Sequence, residues 1–400
     1  MFLEIALFLI LGILTGIFTG LTPSIHINLI SVLMIAASKL LLLKFSVLSL
    51  AVFIISMSVT HTFIDSIPSI FLGVPDSDTA LGILPGHRFL LKGLGLHAVK
   101  LTVIGSLGAL LLSIFLFPLL ILIVKFIYPY LKKLIPFVLI LIVLYMILTD
   151  RKKCWALFVF LVAGSLGIVI FSIPNLSNPL FPLLSGMFGF STLLISLNEN
   201  ENIPKQTHKE KKLESKFKSF KAIVAGQFAG FITAVMPGLG GSAAAVLGMQ
   251  IAGKLGDEGF MVLMGSINTV NFILSMVTLH VLDKARNGSI IAVQKLIGNI
   301  NINYIIIFLI VALIAGALAT FLAIKISKIF CRVLVKISYK KVILTILLLI
   351  TILVITLTGF LGLIILTIST ALGLIPAIVK VKRTHAMGCL LLPVILYFLL

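Results

Sequence analysis

Apolar runs of about twenty residues, separated by brief polar or basic breaks, recur from one end of the chain to the other. They fall near residues 2–20, 24–43, 46–64, 96–127, 134–149, 154–173, 180–197, 222–236, 241–253, 259–281, 303–325, 342–358, 360–379 and 386–400. That length suits a helix crossing about 30 Å of hydrocarbon. The expected fold is an all-α polytopic integral membrane protein. The run at 96–127 fits one long tilted helix or two short ones. Those at 180–197, 222–236 and 241–253 are short for a crossing and are candidate half-helices or re-entrant segments.

Composition agrees. Of 400 residues, 60% are hydrophobic and only 11% charged, with a mean hydropathy of +1.27. A soluble domain keeps roughly a quarter of its residues charged. The opening "MFLEIALF" carries Glu4 and no basic residue, so it reads as a first mature helix rather than a signal peptide. The net charge of +19 comes mostly from short connections: Arg151-Lys152-Lys153, Lys205 to Lys221, Lys340-Lys341 and Lys380 to Arg383. Basic loops retained on the cytoplasmic face of a cell membrane produce this pattern, with attraction to anionic headgroups of the lipid bilayer as a secondary effect. No basic patch interleaved with aromatics is present, so no nucleic-acid partner is expected. Cys154, Cys331 and Cys389 are scattered in apolar sequence and suggest neither disulfide nor metal site. No cofactor is expected.

The stretch from Asn198 to Lys221, "NENENIPKQTHKEKKLESKFKSFK", is polar and lysine-rich. It divides the chain into a first membrane unit (1–197), a basic cytoplasmic linker (198–221) and a second membrane unit (222–400). The two units resemble each other. Gly12, Gly16, Thr19 and Pro23 map onto Gly226, Gly230, Thr233 and Pro237 at an offset of 214. His61-Thr62 lies under Asn268-Thr269 at 207, and Gly108 to Leu110 matches Gly316 to Leu318 at 208. Lys132-Lys133 falls on Lys340-Lys341, again at 208. Internal repeats of this kind are common in transporter folds. Arg151 to Lys153 falls opposite uncharged residues near Thr358-Gly359, and Lys380 to Arg383 opposite the uncharged stretch Pro174 to Pro179. With basic loops inside, that favours inverted repeats, while the shared lysine pairs speak for parallel ones.

Chemistry concentrates where the apolar runs break. "GLTPSIHINL" (Gly20 to Leu29) and "VMPGLGGSAAAV" (Val235 to Val246) each interrupt a run with proline. Proline removes a backbone hydrogen bond and clashes with the preceding turn. In lipid the freed groups survive only inside protein or beside a wet cavity. The next helix then starts with unpaired N–H groups and partial positive charge, suited to an anion. The candidate substrate contacts are Thr22, Pro23, Ser24, His26 and Asn28 at the first break. At the second they are Pro237, Gly238, Gly240, Gly241 and Ser242. The plainer alternative is a kinked helix pair packed through Gly12, Gly16, Gly20, Gly226 and Gly230.

"GFITAVMPGLGGSAAAVLG" resembles the glycine- and proline-bearing signature of the large membrane subunit of tripartite tricarboxylate transporters, the TctA family. "SIPSIFLGVPDSDTALGILPGHRFLLKG" (Ser66 to Gly93) is similar to its second signature, and "LLSGMFGFSTLL" (Leu183 to Leu194) to a third segment. The chain departs from the usual pattern at Ser24-Ile25-His26 and at Leu84 to His87, and looks like a compact archaeal-type branch. The resemblance implies secondary transport of a small organic anion, in typical members with a small membrane subunit and an extracytoplasmic binding protein.

Ionisable groups at membrane depth are expensive and mark ion or substrate paths. His61, Asp65, Asp76 and Asp78 are therefore candidates for coupling to a proton or sodium ion, with Asn268 and Asn271 as neutral counterparts in the second unit. For Asp76 and Asp78 the alternative is simple helix capping, and for the amides interhelical hydrogen bonding. A lipid-phosphate translocator is a rival, since a phosphate head also suits a helix start. No nucleophile elbow, zinc motif or aspartate pair points to an enzyme.

Overall fold

In hydrocarbon the backbone N–H and C=O groups find partners only within helices or closed barrels, and these apolar runs form helices. The computed structural model describes residues 2–22, 27–73, 83–174, 176, 178–198, 204–207, 213–235, 241–283, 285, 287–298, 300–334 and 339–399. Among the described residues there are helices and connections and no strand. The chain begins with α1 (Phe2–Leu21), α2 (Ile27–Ala36), α3 (Ser38–Leu41), α4 (Val47–Ile64), α5 (Ser66–Phe71) and α6 (Ile83–Leu91). It continues with α7 (Gly95–Phe115), α8 (Phe117–Leu148), α9 (Lys153–Phe171), α10 (Leu180–Leu184), a π-helical turn (Ser185–Phe190) and α11 (Ser191–Asn198). Then come α12 (Lys216–Val235), α13 (Gly241–Ala252), α14 (Gly256–Leu282), α15 (Gly288–Ile297) and α16 (Ile302–Leu334). The chain closes with α17 (Tyr339–Thr358), α18 (Phe360–Val379), a 3-10 turn (Arg383–Met387) and α19 (Gly388–Leu399). Seven of the described helical stretches are long and apolar enough to cross a bilayer.

Three boundaries differ from the sequence expectation. The run at 96–127 breaks at Leu116, and the second helix continues to Leu148. Pro118 sits in the first turn of α8, where its missing N–H costs nothing. Helix α12 begins at Lys216, six residues before the expected start of the second unit. Helix α15 was not anticipated, because ten residues containing Gln294 and Lys295 do not make a crossing.

Contact registers give the helix directions. Glu4 accepts from the Ser46 N–H (2.7 Å) near the starts of α1 and α4, and Gly20 packs on Ile64 near their ends. The two are parallel, with α2 and α3 returning between them. Likewise Gly226 packs on Ser266 and Gly230 on Val270, so α12 and α14 are parallel, with α13 returning between them. His97 meets Glu258 (2.9 Å) and Ser106 meets Gly265 (3.1 Å), making α7 parallel to α14. Phe63 lies near Gly316 and the Phe71 and Phe330 rings touch at 5.6 Å, so α4 is parallel to α16. Gly95 packs on Phe71 while Ser66 bonds Thr102, so α4–α5 and α7 run oppositely. Helices α1, α4 and α16 thus point one way and α7, α12 and α14 the other.

The middle linker docks where α7 and α14 begin. Gly95 N–H donates to the Gln206 side chain (3.0 Å), Thr207 N–H to the Gly93 carbonyl (2.8 Å), and Glu214 N–H to Glu258 (2.9 Å). The loop at Asp150 to Lys153 lies on this side too. His385 bonds Asp150 (2.9 Å), Lys152 reaches the Val379 carbonyl (2.9 Å), and neighbouring Arg383 shares a cavity with Arg88 and Asp257. The described parts of the linker, the loop at 150–153 and the connection at 379–383 therefore lie on one face, the linker side. Helices α4, α5 and α14 are almost wholly enclosed. Exposed Leu141 on α8, Phe321 on α16 and Phe360 on α18 form part of an outer apolar surface suited to lipid.

Candidate functional site

The two enclosed helices cross in opposite directions at Thr62 and Thr269, whose hydroxyl oxygens lie 3.3 Å apart. These residues are separated by 207 positions, the spacing that aligned His61-Thr62 with Asn268-Thr269. Around the crossing sits a buried polar cluster. The Asn268 amide donates to the Asp65 carboxylate (2.5 Å) and lies 3.5 Å from the Thr62 carbonyl. His61 Nδ1 meets the Thr19 hydroxyl at 3.1 Å, Thr19 donates to the Gly16 carbonyl, and the Ser66 and Thr102 hydroxyls are 3.0 Å apart.

Local sequence explains the carboxylate's position. Pro68 has no N–H to offer the Ile64 carbonyl, so α4 ends at Ile64 and the chain restarts as α5 at Ser66. Asp65 occupies the junction and is only 5% exposed, while Ser69 donates back to its carbonyl (3.4 Å). Thr62, Ser66 and Ser69 form a polar stripe at helical spacing across the α4–α5 junction. A cavity of about 10 Å³ lies between Thr62, Asp65, Ser66, Thr102, Met264 and Asn268. That is barely room for one water or one unhydrated ion. A carboxylate this enclosed is stabilised by a proton, a cation or hydrogen-bond donors, and the Asn268 amide is one such donor. Among the described residues no group of three His, Cys, Asp or Glu side chains suits a metal ion.

The returning helices start close to this depth. Gly248 of α13 packs on Leu263, and the short link from Ala252 to Gly256 makes α13 antiparallel to α14. Seven residues earlier on α13, buried Gly241 is then level with about Val270, at roughly 1.5 Å per residue. Helices α2 and α3 return from Ile27 to the level of Glu4 and Ser46, which puts Ile27 near the level of Thr19 and His61.

Of the residues expected from sequence, His61, Asp65 and Asn268 share the polar cluster. Asn271 is half-buried on α14, and its carbonyl accepts from Ser275 (2.8 Å). Thr22 follows α1, with its N–H on the Phe18 carbonyl. Gly241 opens α13. The backbones of Asn28 and Ser242 belong to α2 and α13, but their side chains are outside the described set. Pro23, Ser24, His26, Asp76, Asp78, Pro237, Gly238 and Gly240 lie outside the described residues. Thr19, Ser66 and Thr102 were missed. The signal for Ser66 was the polar stripe beside Pro68, and Thr19 was visible only as a repeat match.

Over residues 6–388 the chain matches the model of the tripartite tricarboxylate transporter TctA family. It is also 34% identical over 402 residues to an uncharacterized protein of the archaeon Methanocaldococcus jannaschii, covering 98% of both chains. No solved structure matches it. A multi-pass helical protein whose sequence fits that family across nearly its whole length is a component of a transport system by descent: the chain belongs to the tripartite tricarboxylate transporter TctA family.

Proposed function

We propose that this protein is the membrane-embedded carrier of a secondary transporter, moving a small organic anion across the cytoplasmic membrane with a proton or sodium ion as the coupling species. The carrying observation is the buried polar cluster where α4 and α14 cross, with Asp65 and Asn268 joined at its centre. Family membership supports a carboxylate-type substrate, a small membrane subunit and an extracytoplasmic binding protein. The anion sits between the starts of α2 and α13, held by their N-terminal N–H groups. Asp65 takes the coupling ion, with His61 within the same cluster. Asp76 and Asp78 are the alternative seat for that ion.

The two units are inverted repeats related by an axis through the Thr62–Thr269 contact. Supporting this, α1, α4 and α16 oppose their counterparts α12, α14 and α7 in direction, and residues at equivalent positions touch one another. Alternating access is then one unit rocking against the other about that axis. On the far side Ser31 of α2 bonds Ser289 of α15 at 3.0 Å. The corresponding place on the linker side, between α6 and α13, lines a cavity of about 420 Å³. This difference supports a form open toward the linker. The cluster is enclosed by protein, which favours a water-soluble anion over a lipid phosphate entering sideways.

The test is uptake of labelled di- and tricarboxylates into vesicles carrying the purified chain, with and without the accessory subunits, under imposed proton or sodium gradients. Asp65→Asn should cut gradient-driven accumulation at least about tenfold and leave exchange of internal for external anion running. Accumulation by Asp65→Asn equal to wild type removes Asp65 from coupling. The Asp76→Asn/Asp78→Asn pair, assayed beside it, decides the alternative seat.

A further inference from the structure

On the linker side, two to three helical turns from Asn268, α14 opens into a second and much larger space. Asp257 and Phe260 line a cavity of about 420 Å³, whereas Met261 and Met264 on the same helix line the small one beside Asp65. The large cavity falls within the size range of small-molecule sites. Its apolar lining includes Phe188 from the π-helical turn, Phe260 and Met249. Among the described residues its charged groups are four cations, Arg88, Lys254, Lys382 and Arg383, and one carboxylate, Asp257.

These cations come from separate elements. Arg88 belongs to α6, Lys254 to the α13–α14 connection, and Lys382 and Arg383 to the connection before α19. Arg88 and Asp257 form an exposed pair at 3.5 Å. Arg383 is fixed by a neutral partner, the Thr192 hydroxyl, and lies close enough to Arg88 for the like charges to repel. Arg383, Lys254 and Lys382 line one cavity with Phe188 and Phe260, an arrangement stabilised by a ligand that accepts from more than one of these cations. The positions also come from stretches singled out in the sequence: "LPGHRF" carries Arg88, and "SGMFGFST" carries Phe188 and Thr192.

We propose that this cavity is an anion-binding site, separate from the mid-depth cluster, for a multivalent oxyanion on a small apolar body. Carboxylate or phosphate oxygens lie against Arg383, Lys254 and Lys382, and the apolar flank rests on Phe188 and Phe260. Two sources carry that chemistry: a soluble organic polyanion and the headgroup of an anionic lipid. The site requires binding only and does not depend on the transport reading.

The experiment is calorimetric titration of the purified full chain in neutral detergent at low salt, with citrate, inorganic phosphate and dioctanoyl phosphatidic acid as separate probes. At least one probe should bind. Arg383→Gln and Lys254→Gln should each weaken it about tenfold, the loss of one charge-assisted contact. Lys295→Gln, on α15 at the far side, should leave affinity unchanged. Because Arg383→Gln also breaks the Thr192 contact, the exposed Lys254 provides the variant whose unliganded melting temperature should stay at the wild-type value. Binding by citrate or phosphate assigns a soluble ligand, and binding by phosphatidic acid alone assigns the lipid. The proposal fails if no probe binds or if affinity is unchanged in Arg383→Gln/Lys254→Gln. It also fails if binding emerges only in Asp76→Asn/Asp78→Asn, since the chain's own carboxylates would then occupy the cations.

Discussion

An alanine at Gly265 has nowhere to go. Its methyl carbon would lie 2.0 Å from the Thr102 carbonyl oxygen, and one placed at Gly105 would lie 2.0 Å from the Val262 carbonyl oxygen. Ordinary contact begins near 3.4 Å, so either substitution must drive α7 and α14 apart by about 1.4 Å. That displacement stretches two reciprocal bonds, Ser106 to the Gly265 carbonyl (3.1 Å) and Ser266 to the Gly105 carbonyl (3.2 Å), beyond useful range. Interhelical bonds in membranes average about 0.6 kcal/mol, and overpacking costs about 1–3 kcal/mol. Each single variant should therefore lose about 2–4 kcal/mol. The two methyls act on the same crossing, and one separation accommodates both. Gly105→Ala/Gly265→Ala should thus cost about the same 2–4 kcal/mol rather than twice that. Reversible unfolding in mixed micelles measures it. A double variant equal to the sum of the singles, or singles below about 0.5 kcal/mol, would refute close packing of two rigid helices here.

Two further outcomes follow from buried groups on the linker side. Burial lowers the His87 pKa from 6.5 to about 4 on α6, which is not one of the spanning helices. The unfolded chain then takes up the proton first, so stability falls as pH drops from 6.5 toward 4, by about 2 kcal/mol at pH 5. Melting temperatures between pH 7.5 and 5 should show that slope, and His87→Leu should flatten it. A slope unaltered in His87→Leu places the proton elsewhere. Glu258, buried with His97 at 2.9 Å, also holds the Glu214 N–H. Glu258→Ala should cost about 3 kcal/mol and speed amide exchange around residues 213–220. Exchange as slow as wild type would mean that the linker is held by other contacts.

The features legible in sequence were those written in local chemistry. Apolar length marked the helices, Pro68 stands beside the Asp65 junction, and the glycines at 12, 16, 226 and 230 do lie where neighbouring helices press close. His61, Asp65 and Asn268 could be singled out because polar groups in apolar runs are costly. Their meeting could not, since the Asp65–Asn268 contact joins residues 203 positions apart. The linker reads from sequence only as a polar, lysine-rich connection, yet buried Gln206 serves as partner for the first N–H of α7 and for the Leu90 carbonyl. No local pattern separates that glutamine from its solvated neighbours. Short α15 escaped for a similar reason: its Gln294 and Lys295 fit a helix held by α2 and α4 rather than by lipid.

Helix α14 is the least apolar of the seven spanning segments and also the most completely enclosed. Its asparagines, serines and threonines make it a poor guest for bare hydrocarbon, yet it forms the centre of the molecule. The solvent that suits it is the slot between α4, α7 and α12, all of which precede it in the chain. Its entry into the membrane during synthesis is thus a templated event. The first half and α12 are already made when residues 256–282 emerge, so a receiving groove for α14 is available at that point. A defect in that groove would appear first as failed insertion of α14, well before any loss of transport could be measured.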